Sequence, residues 1–320
     1  MNNVLVLGGT GFVGRATCAE LVERHGGGGA TITVPTRRLA HGHAVRFLPT
    51  VELVEADVVR DAGALPRLVA GRDAVVNLIA VLHGDEARFR TLHVELPRRL
   101  ADACRAAGVR RIVHVSALGV GPNAPSLYLR SKTEGEAVLR GSGLDVTVLR
   151  PSVIFGADDR FLNLFASLQA LAPFVPLAGA DARFQPVWVQ DVAQAIVRCL
   201  ERPETIGRVY ECVGPHVYTL ADLVRLAGRY AGHERPVLPL PGALASLQAR
   251  LMELAPGEPL MSRDNLLSMQ VPNVATGQVP GLEALGITPA ALEAVAPTFL
   301  GSAAGRARLG PLRTRAHRDR

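Results

Sequence analysis

Cysteine is scarce in this 320-residue sequence, and its few copies stand far apart. The four cysteines are Cys18, Cys104, Cys199 and Cys212, with no CxxC pair among them. This spacing argues against a disulfide framework or a zinc ribbon, so we expect a reducing compartment and no metal site. Charged residues make up 20% of the chain and hydrophobic residues 48%, a balance that excludes a disordered protein. The length allows one large domain or two closely packed ones.

Long hydrophobic runs are also missing. The longest uncharged window, Phe161 to Ala180, has the length of a membrane span, but it contains two prolines and two side-chain amides. A continuous transmembrane helix is therefore not expected. The first three residues run straight into an apolar, strand-like segment, so no secretory signal is expected. We expect a cytoplasmic protein that is at most peripheral to the inner face of a membrane.

Acidic residues are nearly absent from the last twenty positions, 301–320, which hold six arginines and one aspartate. Because the whole chain has a net charge of +6, most of its excess positive charge lies in this segment. Such a segment is most often a solvated, disordered tail and less often an anchor for anionic lipid or another polyanion. The rest of the chain is close to neutral, so no nucleic-acid partner is predicted.

Short β-branched apolar runs alternate with helical patterns over residues 1–155. The strand candidates are Val4–Leu7, Thr31–Val34, Val51–Val54, Ala74–Leu78, Ile112–Val115 and Val146–Leu149. This alternation predicts βαβ units, hence an α/β protein with a doubly wound parallel sheet of the Rossmann type. Residues 185–215 are expected to return to this domain. Residues 156–184 and 216–300 are expected to form a smaller, mostly helical, substrate-binding part.

A glycine-rich turn, GGTGFVG, follows the first strand candidate and opens a helix. Glycines allow a tight turn and a close backbone approach, so that amide N–H groups at the helix N-terminus can hold a pyrophosphate. The pattern therefore predicts a dinucleotide site. The expected contacts are Gly8, Thr10, Gly11, Phe12, Val13, Gly14 and the adjoining Arg15.

The end of the second strand distinguishes the two nicotinamide dinucleotides. An acid there binds the ribose hydroxyls, whereas an arginine accepts a 2′-phosphate. This chain has Arg37 and Arg38 at that position and no acid, and Arg15 is expected to add charge to the same pocket. NADP(H) is therefore favoured, and NAD(H) is the alternative. Further cofactor contacts are expected at the ends of the next two strands, at Asp57, Val58 and Ala80.

Lysine is the rarest charged residue, because Lys132 is the only lysine among 35 basic residues. It follows Tyr128 by four positions, which places both on one face of a helix. An ammonium group stabilises a nearby phenolate, so Lys132 is expected to lower the pKa of Tyr128, the candidate acid–base residue, and to hold the nicotinamide ribose. Ser116, at the end of the fifth strand, is the candidate for binding a substrate oxygen. The alternative is an ordinary solvated pair of side chains.

These motifs resemble the short-chain dehydrogenase/reductase superfamily in its extended or atypical branch. The glycine turn, Ser116 and the Tyr128/Lys132 pair match the cofactor and catalytic positions of that family. The sequence RPSVIFG at 150–156 resembles the segment that closes over the nicotinamide, which implies cofactor contacts at Pro151 and Val153. One departure is His93, which stands in a region where many members carry an N-V-x-G-T pattern.

A narrower resemblance covers roughly residues 1–300. The stretches SALG, YLRSK, RFLN and FQPV, beginning at positions 116, 128, 160 and 184, resemble bacterial relatives of the NADPH-binding accessory subunit of respiratory complex I. This resemblance implies that the nucleotide is bound without turnover and that the chain associates with a respiratory complex. The Ser/Tyr/Lys set points instead towards catalysis.

Three functions follow from these observations. The first is an NADP(H)-dependent oxidoreductase acting on a hydrophobic carbonyl, alcohol or quinone-related substrate. The second is a non-catalytic NADPH-binding subunit, assembly factor or redox sensor associated with respiratory complex I. The third, an NAD-dependent sugar-nucleotide epimerase or dehydratase, fits less well because the substrate part offers few polar groups. The expected substrate contacts, which could equally be packing residues, are Leu118, Phe155, Phe161 and Phe165.

Overall fold

A seven-stranded parallel sheet forms the centre of the protein. The computed structural model describes residues 2–25, 29–253 and 261–301, so the predicted tail lies outside the described residues except for its first position. The strands are β1 (Asn3–Leu7), β2 (Thr31–Thr36), β3 (Val51–Glu55), β4 (Ala74–Asn77), β5 (Arg111–Val115), β6 (Asp145–Pro151) and β11 (Val209–Cys212). Their order is β3-β2-β1-β4-β5-β6-β11, which confirms the predicted doubly wound α/β sheet.

Helices cover both faces of this sheet, which is why its strands are apolar almost throughout. One face packs against α1 (Phe12–His25) and α7 (Val189–Glu201), which also contact each other. The other face packs against α2 (Ala64–Val69) and α4 (Leu96–Ala107). The fully buried β1 residues Leu5 and Val6 point to opposite sides and belong to the two separate clusters.

The helical stretch between β4 and β5 is not regular. It begins with α3 (Glu86–Arg90), passes through a π-helical turn over Thr91–Glu95 and continues as α4. A helix then follows β5 as α5 (Leu127–Arg140), which packs against the π-helical turn. Their contact depends on Gly135, because a Cβ there would lie 1.8 Å from the carbonyl oxygen of His93.

A third hydrophobic cluster lies outside the sheet. The helices of this part of the chain are α6 (Leu162–Leu171), α8 (Leu220–Ala231), α9 (Gly242–Glu253), α10 (Arg263–Ser268) and α11 (Leu292–Leu300). Short strands pair between them, namely β7 (Ile154–Phe155) with β10 (Val187–Trp188), β8 (Val175–Leu177) with β13 (Val237–Pro239), and β9 (Arg183–Phe184) with β12 (Tyr218–Thr219). Helices α6, α8 and α11 pack on one another and bury the centre of this cluster.

Candidate functional site

The glycine turn joins β1 to α1 at the carboxyl end of the sheet. The amide of Gly11 donates to the carbonyl oxygen of Gly8 (3.0 Å), which closes the turn, and helix α1 begins at the next residue. A Cβ at Gly14 would lie 2.2 Å from the Gly8 oxygen, so only glycine allows the helix to start this close to the turn. The first amides of α1 have no partners within the helix and are available to an anion.

A cavity of about 640 Å³ opens beside this turn, within the size range of ligand sites. Its walls come from the loops that follow β1, β2, β3 and β4, as expected for a nucleotide site at the carboxyl ends of parallel strands. Seven of the residues predicted to bind a cofactor line this cavity: Gly8, Thr10, Gly11, Arg37, Asp57, Val58 and Ala80.

Positive charge predominates on the cavity walls. Arg37, Arg60 and Arg88 all line it, and Asp57 is the one acid among the lining residues of the described chain. One oxygen of Asp57 already accepts hydrogen bonds from the amides of Val59 (3.0 Å) and Arg60 (3.1 Å). Neither Arg60 nor Arg88 was predicted from the sequence.

Two predicted arginines lie elsewhere. The guanidinium of Arg15 forms an ion pair with Asp158 (3.1 Å) and is not among the lining residues, so its contribution of charge to the cavity stays a prediction. Arg38 is exposed and also lies outside the lining. Its carbonyl oxygen accepts a hydrogen bond from the hydroxyl of Thr36 (3.0 Å), which turns the chain at the end of β2.

Gly14, Lys132 and four further predicted cofactor contacts do not line the cavity either. Phe12 and Val13 begin α1, and Pro151 ends β6. The amide of Val153 donates to the side chain of Asn273 (2.9 Å). Their contacts with a cofactor remain predictions.

Lys132 is nearly fully buried, and its ammonium group points to the end of β5. The Nζ atom donates to the carbonyl oxygen of Val115 (2.8 Å), the residue before Ser116. Burial lowers the Lys132 pKa from 10.5 to about 8, and the nearby carboxylate of Glu136 opposes that shift. Glu136 is itself held by Arg150 through two hydrogen bonds, of 3.0 and 2.5 Å. The chain's single lysine is therefore built into a buried charge cluster rather than solvated.

Ser116 lies at the end of β5 with an unused hydroxyl. Its amide donates to the carbonyl oxygen of Leu149 (2.7 Å), but its buried Oγ has no hydrogen-bond partner within the described chain. Since buried polar atoms are nearly always paired, this hydroxyl is suited to a ligand oxygen. That is the role predicted from the sequence.

The phenol of Tyr128 is not activated in the way that the sequence suggested. Its half-buried ring packs edge-on against His93, with ring centroids 5.6 Å apart, and against Phe89 at 6.1 Å. Burial raises the Tyr128 pKa to about 12, so the expected lowering by Lys132 is corrected. The physical reason is that Lys132 directs its ammonium at a backbone carbonyl, while desolvation penalises the phenolate.

His93 connects the cavity wall to the helix that carries Tyr128. Its Nε2 accepts a hydrogen bond from the amide of Val81 (3.1 Å), a lining residue, so the proton must reside on Nδ1. Nδ1 then donates to the hydroxyl of Ser131 (2.8 Å), which in turn donates to the carbonyl oxygen of Tyr128 (2.8 Å). Burial, together with the charge of Lys132, lowers the His93 pKa to about 3, which keeps the imidazole neutral.

Helix α5 is capped from a distant part of the chain. The carboxylate of Asp264, on α10, accepts hydrogen bonds from the amides of Leu127 and Tyr128, and the hydroxyl of Ser126 accepts one from Leu129 (3.2 Å). The Ser126 cap is readable from sequence as a serine before a helix. The cap provided by Asp264 could not be predicted from the sequence, because Asp264 is 136 positions away from Tyr128.

The residues predicted to bind a hydrophobic substrate pack inside the third cluster or close to it. Phe155 and Phe165 belong to its core, and Phe161 packs against Phe165 with ring centroids 5.3 Å apart. Leu118 is also buried. None of the four lines the cavity described above, so packing accounts for their apolar character, and substrate contact remains a prediction.

The described residues hold neither a metal-binding cluster nor a membrane-spanning helix. No group of three or more histidine, cysteine, aspartate or glutamate side chains could hold a metal ion there. No helix in that part of the chain has both the length and the apolar character needed to cross a bilayer.

Comparison with known proteins gives consistent findings. The sequence model of the NAD(P)H-binding family matches residues 8–203. The mouse protein named NADH dehydrogenase [ubiquinone] 1 alpha subcomplex subunit 9, mitochondrial, is 33% identical over 297 residues, covering 90% of this chain and 77% of the mouse protein. The 40 kDa subunit of NADH-ubiquinone oxidoreductase from Neurospora crassa is 28% identical over 289 residues, covering 89% of this chain and 75% of its own length.

Solved structures resemble the fold at lower sequence identity. A nucleoside-diphosphate-sugar epimerase from Staphylococcus aureus superposes with a TM-score of 0.69 at 17% identity, covering 92% of this chain and 98% of the epimerase. At this identity the likeness shows the shared fold alone.

Proposed function

The chain belongs to the NAD(P)H-binding family, and from this premise we propose that its nucleotide is NADP(H), bound in the cavity at the carboxyl ends of β1 to β4. The residues present fit such a group. The glycine turn presents unpaired helix amides to a diphosphate. At the end of β5, outside the cavity lining, the buried Oγ of Ser116 has no hydrogen-bond partner within the described chain. Asp57 keeps one carboxylate oxygen outside its backbone hydrogen bonds, which suits the adenine edge or ribose.

The observation that carries the preference for NADP(H) is the charge on the cavity walls. A 2′-phosphate is a dianion that arginine binds through paired, charge-assisted hydrogen bonds. Arg37, Arg60 and Arg88 line the cavity, whereas the end of β2 carries no acid to bind the free 2′-hydroxyl of NAD(H).

Two neighbouring arginines provide a matched test of this preference. Arg37 lines the cavity and Arg38 does not, although both are exposed at the end of β2. Titration calorimetry on Arg37→Gln should show NADPH binding weakened about tenfold or more, with little change for NADH. Arg38→Gln should bind NADPH like the parent protein. Equal losses in both variants, or an equal loss for both nucleotides, would contradict the assignment.

We propose that the principal role of the chain is to bind this nucleotide, and that the chain is associated with a respiratory NADH dehydrogenase. Two observations support it. Relatives named as subunits of that enzyme match about nine-tenths of the chain. In addition, the phenol of Tyr128 is not activated by Lys132, because its pKa is raised to about 12. We therefore expect the purified protein to retain NADP(H) and not to consume it when carbonyl compounds are added.

A second candidate function is carbonyl reduction, and the site at the end of β5 favours it. When bound, NADPH supplies a hydride. The Oγ of Ser116 is free to hold a carbonyl oxygen, and Tyr128, with a pKa of about 12, remains protonated at neutral pH and can donate its proton to the resulting alkoxide. The substrate class predicted from sequence is a hydrophobic or quinone-related carbonyl.

The variant Tyr128→Phe separates the two functions. A reductase should lose most of its turnover, about a hundredfold or more, and still bind NADPH with unchanged affinity. A nucleotide-holding protein should show no turnover before or after the change. Stopped-flow measurement of NADPH absorbance with a panel of hydrophobic aldehydes, ketones and quinones distinguishes these outcomes.

A further inference from the structure

The loop between β2 and β3 presents a histidine to the nucleotide cavity. His41 is exposed and lines the cavity together with Arg37 of the same loop. Within the described chain, neither the imidazole of His41 nor the guanidinium of Arg37 has a hydrogen-bond or ion-pair partner. Both side chains are therefore available to a ligand that enters the cavity.

The backbone that carries His41 is fixed on both sides. Its amide donates to the carbonyl oxygen of Arg38 (3.0 Å), which also accepts the hydroxyl of Thr36. The next residue, Gly42, is buried against β3, where a Cβ would clash with the side chain of Leu53. The turn is thus held in place, while the imidazole stays exposed at the cavity wall.

A second wall of the cavity is also preorganised. The guanidinium of Arg99, on α4, donates to the carbonyl oxygens of Val59 (3.0 Å) and Asp61 (3.1 Å). Arg60, a lining residue, lies between these two in the chain, so its backbone is fixed by α4. An anion in the cavity therefore meets positive charge on loops that need not be ordered first.

The charged groups around His41 come from its own loop and from the neighbouring elements. Its turn, Leu39–Gly42, packs on β2, which carries no charged residue, and on β3, which carries Glu52 and Glu55. The loop itself adds Arg37, Arg38, His43 and Arg46, and the other cavity walls add Asp57, Arg60 and Arg88. Carboxylates and guanidinium groups ordinarily keep their charge between about pH 6.5 and 8.5, whereas histidine changes its charge there. Among the lining residues of the described chain, His41 is therefore the one with a charge that changes over this range.

We propose that His41 binds the 2′-phosphate of NADP(H) beside Arg37, and that its protonation sets how strongly the site prefers NADP(H) to NAD(H). Strand β2 lies between β1, whose glycine turn suits the diphosphate, and β3. The end of β2 is then the place of the ribose 2′ group. A phosphate monoester is mostly a dianion above about pH 6, and a dianion beside His41 favours the protonated imidazole. This inference rests on the nucleotide proposed above.

The ratio of the dissociation constants for NAD⁺ and NADP⁺, measured by titration calorimetry as a function of pH, tests this inference. The oxidised nucleotides are used because NADPH decomposes in mild acid. Since the bound phosphate favours uptake of a proton by His41, the ratio should rise about threefold or more as the pH falls from about 8.5 to 6.5. Effects of pH on the parts that the two nucleotides share cancel in the ratio.

Two changes and one control identify the imidazole. His41→Gln keeps a polar side chain without a charge, so its ratio should stay close to the value that the parent protein has at about pH 8.5. His41→Arg supplies a permanent charge and should keep a high ratio at every pH. His43→Gln is the matched control, because His43 is exposed on the same loop but does not line the cavity, and it should follow the parent protein. All three variants change exposed side chains and should keep their melting temperature.

Several results would overturn the inference. One is a ratio well above one that does not change with pH, which would leave the NADP(H) site standing without a role for His41. Another is a pH response that persists in His41→Gln. A third is an equal loss of affinity for both nucleotides in that variant, which would place the ring at the adenine or the ribose. A ratio near one at every pH would contradict the proposed nucleotide as well.

Discussion

The carboxylate of Asp264 accepts hydrogen bonds from the backbone amides of both Leu127 and Tyr128, at 2.7 and 3.0 Å. On the other side of the same residue, the carbonyl oxygen of Tyr128 accepts the hydroxyl of Ser131. The phenol is therefore carried by a backbone that is fixed from two directions, one through α10 and one through His93. Any role of Tyr128 beside a nucleotide depends on these contacts.

Removing the Asp264 carboxylate should loosen the start of α5. Asp264→Ala leaves two helix amides without an acceptor and is expected to reduce the free energy of unfolding by about 1–2 kcal/mol, as for other lost N-caps. Asp264→Asn keeps one acceptor oxygen and should cost less. Denaturant unfolding of the two variants measures the difference. An alanine variant as stable as the parent protein would show that α10 does not hold α5.

Replacing His93 should lower the free energy of unfolding and also disturb the cavity wall. His93→Phe keeps an aromatic ring against Phe89 but leaves the Val81 amide without its acceptor and takes away the proton donated to Ser131. We expect a loss of about 2–3 kcal/mol in the free energy of unfolding and weaker NADPH binding, because Val81 lines the cavity.

A glutamine at position 93 provides the comparison. His93→Gln can place an oxygen near the position of Nε2, so it should restore part of the affinity for NADPH lost in the phenylalanine variant. If the two variants bind NADPH equally well, the Val81 contact does not shape the cavity. Chemical-denaturation and fluorescence titrations on the same samples measure both quantities.

Burial of Lys132 predicts a dependence of stability on pH. Its pKa falls from 10.5 to about 8 in the folded protein, so the unfolded chain binds the proton more tightly. Between pH 8 and 10.5 the unfolded state therefore holds more protons at this site, and the contribution of Lys132 to the free energy of unfolding rises with pH. The full change is of the order of 3 kcal/mol.

The variant Lys132→Met isolates this contribution from other groups that titrate in the same range. The free energy of unfolding of the parent protein, minus that of Lys132→Met, should increase as the pH rises from 8 to 10. Urea denaturation at three or four pH values measures it. A difference that stays constant with pH would mean that Lys132 keeps its ordinary pKa.

The sequence predicted the sheet well because each buried strand carries its own local pattern. The β-branched runs predicted six strands that are all present in the sheet. The glycine turn predicted the edge of the cavity that Gly8, Thr10 and Gly11 form. The sequence could not predict contacts that depend on residues far apart, such as Asp264 at the start of α5. The pKa of Tyr128 was misjudged because an i,i+4 spacing gives a shared helix face but not the direction of an ammonium group.

The close contact between α5 and the π-helical turn makes Gly135 irreplaceable. A Cβ in Gly135→Ala would meet the carbonyl oxygen of His93 at 1.8 Å, so one element must move. We expect a loss of about 2–3 kcal/mol in the free energy of unfolding, as for other overpacked sites. The control is Gly121→Ala, where a Cβ has no heavy atom within 4 Å. Thermal or urea unfolding of the pair should show a near-neutral change only at position 121.

The ratio of the dissociation constants for NADH and NADPH, measured by titration calorimetry on the nucleotide-free protein, tests the central claim most directly. Because Arg37, Arg60 and Arg88 line the cavity and β2 ends without an acid, NADPH is predicted to bind about tenfold or more tightly than NADH. A ratio near one, or tighter binding of NADH, would contradict the account.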